Sequence, residues 1–150
     1  MILVNIRSVF NVGSIFRTAD ALGVTKIFLC GCTPTPKDRF GRKRLDLAKV
    51  ALGAEESVPS EHYEDVTKLL AKLKKEKVQI IALEQSPKST DYRKIKTKGS
   101  VAMVLGEEVN GVSEKILNFA DVIAEIPMLG KKESLNVSVA FGVAGFEILL

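Results

Sequence analysis

The sequence predicts an α/β fold, a mainly parallel sheet with helices on both faces. Two observations carry this expectation. Short β-rich apolar runs recur at residues 2–4, 26–30, 78–83, 101–105 and 122–126. Between most of them lie helical patterns, at 12–22, 63–75 and 113–119, and a last helix is expected from about Ser134 onward. Strands that alternate with helices build parallel sheets through crossover connections. With 150 residues the chain suits one domain, 1–150, large enough to bury a core without disulfides or a metal.

Each element has its own reason. Residues 2–4 (ILV) are apolar and partly β-branched, as a buried strand requires. In 12–22, Ile15, Phe16, Ala19 and Leu22 share one helical face, and Gly23 suits the stop. Arg17 lies about 170° from the centre of that face at 100° per residue, so it projects away from the core. In 63–75, Leu69, Leu70 and Leu73 form the apolar face and the lysines between them the wet one. The final helix is rich in small residues, Ser138, Ala140, Gly142, Ala144 and Gly145, which permit close packing, including packing across a subunit interface. Residues 31–44, rich in Pro, Gly and Arg, read as a long functional or mobile loop.

Composition excludes several classes. Hydrophobic residues make up 46% and charged residues 27%, ordinary for a globular protein. No apolar run reaches the roughly 18 residues that span a bilayer, and residues 1–5 read as a strand, so a cytoplasmic location is expected. Cys30 and Cys32 are the only cysteines, with a single histidine, His62. They are expected to be reduced thiols, and no metal site is expected. The net charge of +4 equals that of residues 37–44 (KDRFGRKR), with five basic residues and one acidic, while the other charges balance. Arg39, Arg42, Lys43 and Arg44 are therefore candidates for RNA phosphates.

Parallel sheets bind ligands beyond the carboxyl ends of their strands. Residues 5–13, 106–111 and 127–134 occupy such places. Asn11 is expected to cap the helix after the first segment, Ser113 the helix after the second, and Ser134 or Asn136 the last helix. The pair Glu107 and Glu108 argues against a nucleotide-phosphate loop. It suits a ligand with ribose hydroxyls, an amine or a sulfonium. Neither a Walker loop nor a GxGxxG dinucleotide motif is present.

Together these segments resemble the three motifs of the SpoU (TrmH-like) family of RNA 2′-O-ribose methyltransferases, within the SPOUT superfamily. NVGSIFRTA from Asn11 is similar to motif 1, LGEEVNG from Leu105 to motif 2, and IPM from Ile126 with SLNVSVA from Ser134 to motif 3. Val109 departs from motif 2, which often has a small residue there. The resemblance implies a deep trefoil knot in the C-terminal part, S-adenosylmethionine (S-adenosyl-L-methionine) as cofactor, and a homodimer with the site near the subunit interface. It implies cofactor contacts at Leu83, Gly106, Ile126, Met128 and Leu135. It implicates Asn11, Arg17, Glu108, Ser134 and Asn136 in catalysis of methyl transfer to a ribose 2′-hydroxyl. The family is thought to use the motif 1 arginine as a base. A guanidinium stays protonated at working pH, so a phosphate clamp is the other role open to Arg17. Some relatives carry a preceding RNA-binding domain, so the RNA grip is expected from this domain itself, with tRNA favoured over rRNA. A non-catalytic RNA-binding or assembly protein and an RNA base methyltransferase are the rival readings.

Overall fold

The computed structural model describes residues 1–150, with seven strands in one sheet. In chain order the elements are β1 (Ile2–Val4), α1 (Val9–Ala21), β2 (Ile27–Cys30), α2 (Leu45–Ala51), α3 (Ala54–Ser57), β3 (Ser60–Tyr63), α4 (Val66–Lys75), β4 (Gln79–Leu83), β5 (Thr90–Asp91), β6 (Val101–Leu105), α5 (Glu114–Leu117), β7 (Val122–Glu125) and α6 (Val137–Leu149). The strand order is β3-β2-β1-β6-β4-β7-β5, and every pairing is parallel.

Alternating side chains divide the core in two, because successive residues of a strand face opposite sides. Leu3, Ile81, Met103 and Leu105 point toward α1, α2, α3 and α6. Ile2, Ile80, Ala102 and Val104 point toward α4 and α5. The sheet is thus covered on both faces, which explains why its central strands read as continuous apolar runs.

The helix boundaries differ from expectation in instructive ways. α1 begins at Val9, three residues early, and its cap is Ser8 rather than Asn11; the Ser8 hydroxyl accepts from the Asn11 N–H at 3.2 Å. The Asn11 side chain is thereby released for other bonds. α4 starts at Val66, where Asp65 accepts from the N–H groups of Thr67 and Lys68. Tyr63, expected to open that helix, instead ends the edge strand β3, which begins at Ser60. Its sequence, SEHY, is too polar to show strand alternation. Tyr63 earns its place by packing edge-on to Phe28, ring centroids 5.7 Å apart. Ser113 stands at the cap position of α5 without a side-chain bond, whereas Asn136 does cap α6, accepting from the Ser138 N–H at 2.9 Å.

The small residues of α6 do two different things. Gly145 packs against Leu22 and Phe141, where a β-carbon would collide, while Gly142 faces open space. Phe141 is fully buried in the α1 and α6 side of the core. Phe141→Ala is expected to lower the unfolding free energy by about 3–5 kcal/mol, read as a fall in the urea midpoint with an unchanged slope.

Candidate active site

The carboxyl ends of β4, β6 and β7 open into a cavity of about 560 Å³. Leu83 and Glu84 follow from β4, Gly106 to Gly111 from β6, and Ile126 and Met128 from β7. Glu133, Ser134, Leu135 and Asn136, before α6, complete the wall. The lining pairs apolar side chains with several carboxylates, so it suits a ligand with apolar and cationic parts.

The loop after β6 is held by backbone. Glu107 and Gly111 form an antiparallel bridge, with the Gly111 N–H donating to the Glu107 carbonyl at 3.0 Å. Gly106 lies so close to the Gly111 backbone that a β-carbon there would overlap it. Gly111 takes a φ of +63°, and its missing β-carbon leaves room for Glu84. The Glu84 carboxylate accepts from the Val112 N–H at 2.6 Å. Val109 is 88% exposed, so its side chain projects from the loop and the departure from a small residue costs no space.

A relay of side chains ties this loop to two others. The Asn136 amide donates to Asn11 Oδ1 at 3.1 Å, and Asn11 Nδ2 donates to Glu108 Oε1 at 2.9 Å. Glu108 also accepts from the backbone N–H groups of Ser8 at 3.3 Å and Arg7 at 3.4 Å. Burial pushes the Glu108 carboxyl up, but the hydrogen bonds from Asn11 and the backbone outweigh it, and the net shift is downward. Arg7 meets the neighbouring Glu107 at 3.8 Å.

The basic segment is folded on itself and largely ion-paired. Residues 36–44 form a small hairpin, with Lys37 bridged to Lys43 and the Arg44 N–H donating to the Pro36 carbonyl at 2.9 Å. Arg42 pairs with Asp38 at 2.7 Å and Arg44 with Asp46 at 2.6 Å, and Lys43 pairs with both Glu55 and Glu56. Of the four expected phosphate ligands, only Arg39 lacks a carboxylate partner. Counting charge along the chain could not reveal this, because Asp46, Glu55 and Glu56 lie outside the basic run. Cys30 is buried and Cys32 exposed, both free thiols; burial pushes the Cys30 thiol up to about 12.

A profile of the SpoU rRNA Methylase family matches residues 1–146. The chain belongs to the SpoU family. It is 35% identical over 147 residues to a 23S rRNA (guanosine-2'-O-)-methyltransferase of Xylella fastidiosa, covering 98% of this chain and 56% of that protein. It thus spans about half the length of the curated relatives it matches. Among solved structures it resembles the A. aeolicus TrmH/SpoU tRNA modifying enzyme, with a TM-score of 0.85 and 28% identity over 99% of this chain and 72% of that one. It also resembles the AdoMet-bound rRNA methyltransferase of Sinorhizobium meliloti, with a TM-score of 0.86 and 30% identity over 97% of this chain and 53% of that one.

The SpoU chain places its expected residues unevenly. Leu83, Gly106, Ile126, Met128 and Leu135 all line the cavity, as do Glu108, Ser134 and Asn136. Asn11 stands behind them, 6% exposed and bonded to two of them. Arg17 is exposed on α1 and does not line the cavity. Sequence reasoning missed Glu84 and Gln85, which follow β4 as the named segments follow β1, β6 and β7; the same strand-end rule would have found them. Gln85 Nε2 donates to the Glu133 carbonyl at 2.5 Å, pinning the segment before α6.

Two outcomes follow for the SpoU site. Gly106→Ala should displace the 106–111 loop and abolish ligand binding in the cavity, measured by calorimetry, while the domain stays folded. The depressed Glu108 carboxyl stabilises the fold above its ordinary value of 4.5, and that contribution fades as pH falls through its lower folded value. Glu108→Gln should therefore cost stability at neutral pH, with the gap to the native protein narrowing in acid, followed by urea melts across pH.

Proposed function

We propose that this domain transfers the methyl group of S-adenosylmethionine to a ribose 2′-hydroxyl of RNA. The observation that carries the reading is the cavity at the strand ends joined to the Asn136–Asn11–Glu108 relay, so that the three family motifs meet at one place. Family membership and relatives named as 2′-O-methyltransferases support it.

The residues present fit the cofactor. A cavity of about 560 Å³ lies in the range of small-molecule sites. Leu83, Ile126, Met128 and Leu135 offer apolar walls, and the carboxylates at Glu84 and Glu107 suit cationic and hydroxyl groups. The bound cofactor supplies a methyl group already activated on a sulfonium, leaving a neutral thioether. The chain must orient the ribose oxygen in line with that methyl, which is a positioning task. Gly106 lets the loop backbone approach closely, Asn136 holds the start of α6 against Asn11, and Ser134 is placed to bond the ribose or cofactor. The C-terminal knot belongs to the same proposal, supported by membership of the SpoU family.

A homodimer fits two features. Val139, Val143 and Phe146 expose an apolar stripe on α6, and α1 exposes Phe10 on the face that carries Arg17. Arg17 lies off the cavity of its own chain, so a role as base calls for the cavity of a second subunit, whereas a clamp can grip RNA outside the cavity. The earlier preference for tRNA finds no support among the curated relatives, which are named for 23S rRNA. Ribosomal RNA becomes the favoured substrate class.

Calorimetry in EDTA should show S-adenosylmethionine binding without added metal; absence of binding by folded protein would overturn the reading. Arg17→Ala should abolish methyl transfer to RNA, followed with labelled cofactor, at little cost in stability because the side chain is exposed. Arg17→Lys separates the roles. A clamp predicts weaker RNA binding and poor rescue, because Lys lacks the planar fork. A base predicts residual turnover that rises with pH.

A further inference from the structure

The hairpin of residues 36–44 carries an aromatic side chain where water, not protein, surrounds it. Phe40 is 66% exposed at the tip. Its backbone is fixed: the N–H groups of Phe40 and Arg42 donate to Asp38 Oδ1 at 2.8 and 3.0 Å, and Gly41 turns the chain at a φ of +79°. The guanidinium carbons of Arg39 and Arg42 lie 4.8 and 5.0 Å from the ring centroid. A large apolar ring exposed between two cations is poorly explained by folding, since it buries little and its loss would leave no cavity.

The hairpin also lies on the same side of the molecule as the cavity. It follows the carboxyl end of β2, and the connecting segment is stitched to the end of β1. Thr33 Oγ1 donates to the Leu3 carbonyl at 3.1 Å and accepts from the Ile6 N–H at 3.2 Å. One residue further on, the N–H groups of Arg7 and Ser8 hold Glu108. A macromolecule resting over the strand ends meets both.

We infer that Phe40 is a stacking platform for an unpaired RNA base next to the nucleotide to be modified, with Arg39 taking the adjoining phosphate. The inference rests on the reading of the domain as an RNA enzyme. Arg42 is held by Asp38 and stays beside the ring. Arg39 has no carboxylate partner, so it can leave the ring for a phosphate and open a face to the base. Aromatic rings stack on any base, whereas a paired base inside a helix offers no free face. The hairpin therefore selects open RNA, a loop or bulge, over duplex.

The test uses a short single-stranded oligoribonucleotide containing 2-aminopurine, and the same strand annealed to its complement, with native protein, Phe40→Leu, Phe40→Trp and Arg39→Ala. Phe40→Leu should weaken binding of the single strand about tenfold and remove the quenching of 2-aminopurine fluorescence, while duplex affinity stays within about twofold. Phe40→Trp should retain affinity and quenching. Arg39→Ala should weaken binding and lessen its dependence on salt. Unchanged affinity in Phe40→Leu, alongside intact methyl transfer by the native protein, would overturn the platform and leave the methyltransferase reading standing. Equal losses for single strand and duplex, or a change in sedimentation of Phe40→Leu showing that the ring sits in a subunit contact, would overturn it as well. Failure of the native protein to bind either RNA would remove both.

Discussion

The site depends on one buried amide. Asn11 receives a hydrogen bond from Asn136 and gives one to Glu108, joining segments 125 and 97 residues distant along the chain. An amide can do both because it carries a donor and an acceptor on one rigid plane. A hydrophobic residue would leave the Asn136 amide without its acceptor and Glu108 without its side-chain donor, and a carboxylate would repel Glu108. The geometry follows from the cap: Ser8 satisfies the start of α1, so Asn11 is left free inside the first turn. The relay then fixes the 106–111 loop and the entrance of α6 to the same helix, and the cavity between them takes its shape from that.

The five buried strands were legible because burial on both faces demands unbroken apolar runs, and β1, β2, β4, β6 and β7 have them. The edge strands were not. β3 exposes His62 and Glu61, and β5 has only two residues, so neither leaves a periodic trace. α2 and α3 were hidden for a related reason. They are short, divided by Leu52 and Gly53 in left-handed conformations, and their buried residues are only Leu47, Ala51, Ala54 and Glu55. Strand-end reasoning and the family motifs together located most of the cavity wall. Arg17 shows the limit. Its outward projection could be read from the helical wheel, but its absence from the cavity depends on where α1 sits relative to β6, which no local pattern encodes.

Electrostatics shows the same limit from another side. A run of five cations in eight residues suggests a field strong enough to attract polyanions. Folding brings Glu55 and Glu56 against Lys43, and local turns bring Asp38 to Arg42 and Asp46 to Arg44. The acidic partners convert the run from a cluster of free cations into an ion-paired hairpin with Phe40 at its tip. On the reading proposed for Phe40, placement replaces bulk charge as the segment's contribution to binding.

The strand order carries a consequence for how the molecule assembles. β6 lies between β1 and β4, and its register pairs Ile2 with Val104 and Ile80 with Ala102. Until the chain has been made past residue 105, β1 and β4 have no common neighbour; β3, β2 and β1 form a ribbon with an open edge, and β4 stands unpaired because its other neighbour, β7, comes later still. Contacts so far apart in sequence slow folding, because closure entropy is spent before they reward it. The nascent protein therefore stays vulnerable to edge pairing for most of its synthesis. The strand that joins the two sides is also the one whose end carries the acidic loop, but cavity and core are complete only when β7 and α6 follow, since Ile126, Met128 and Leu135 line the one and Phe141, Ala144 and Ile148 fill the other.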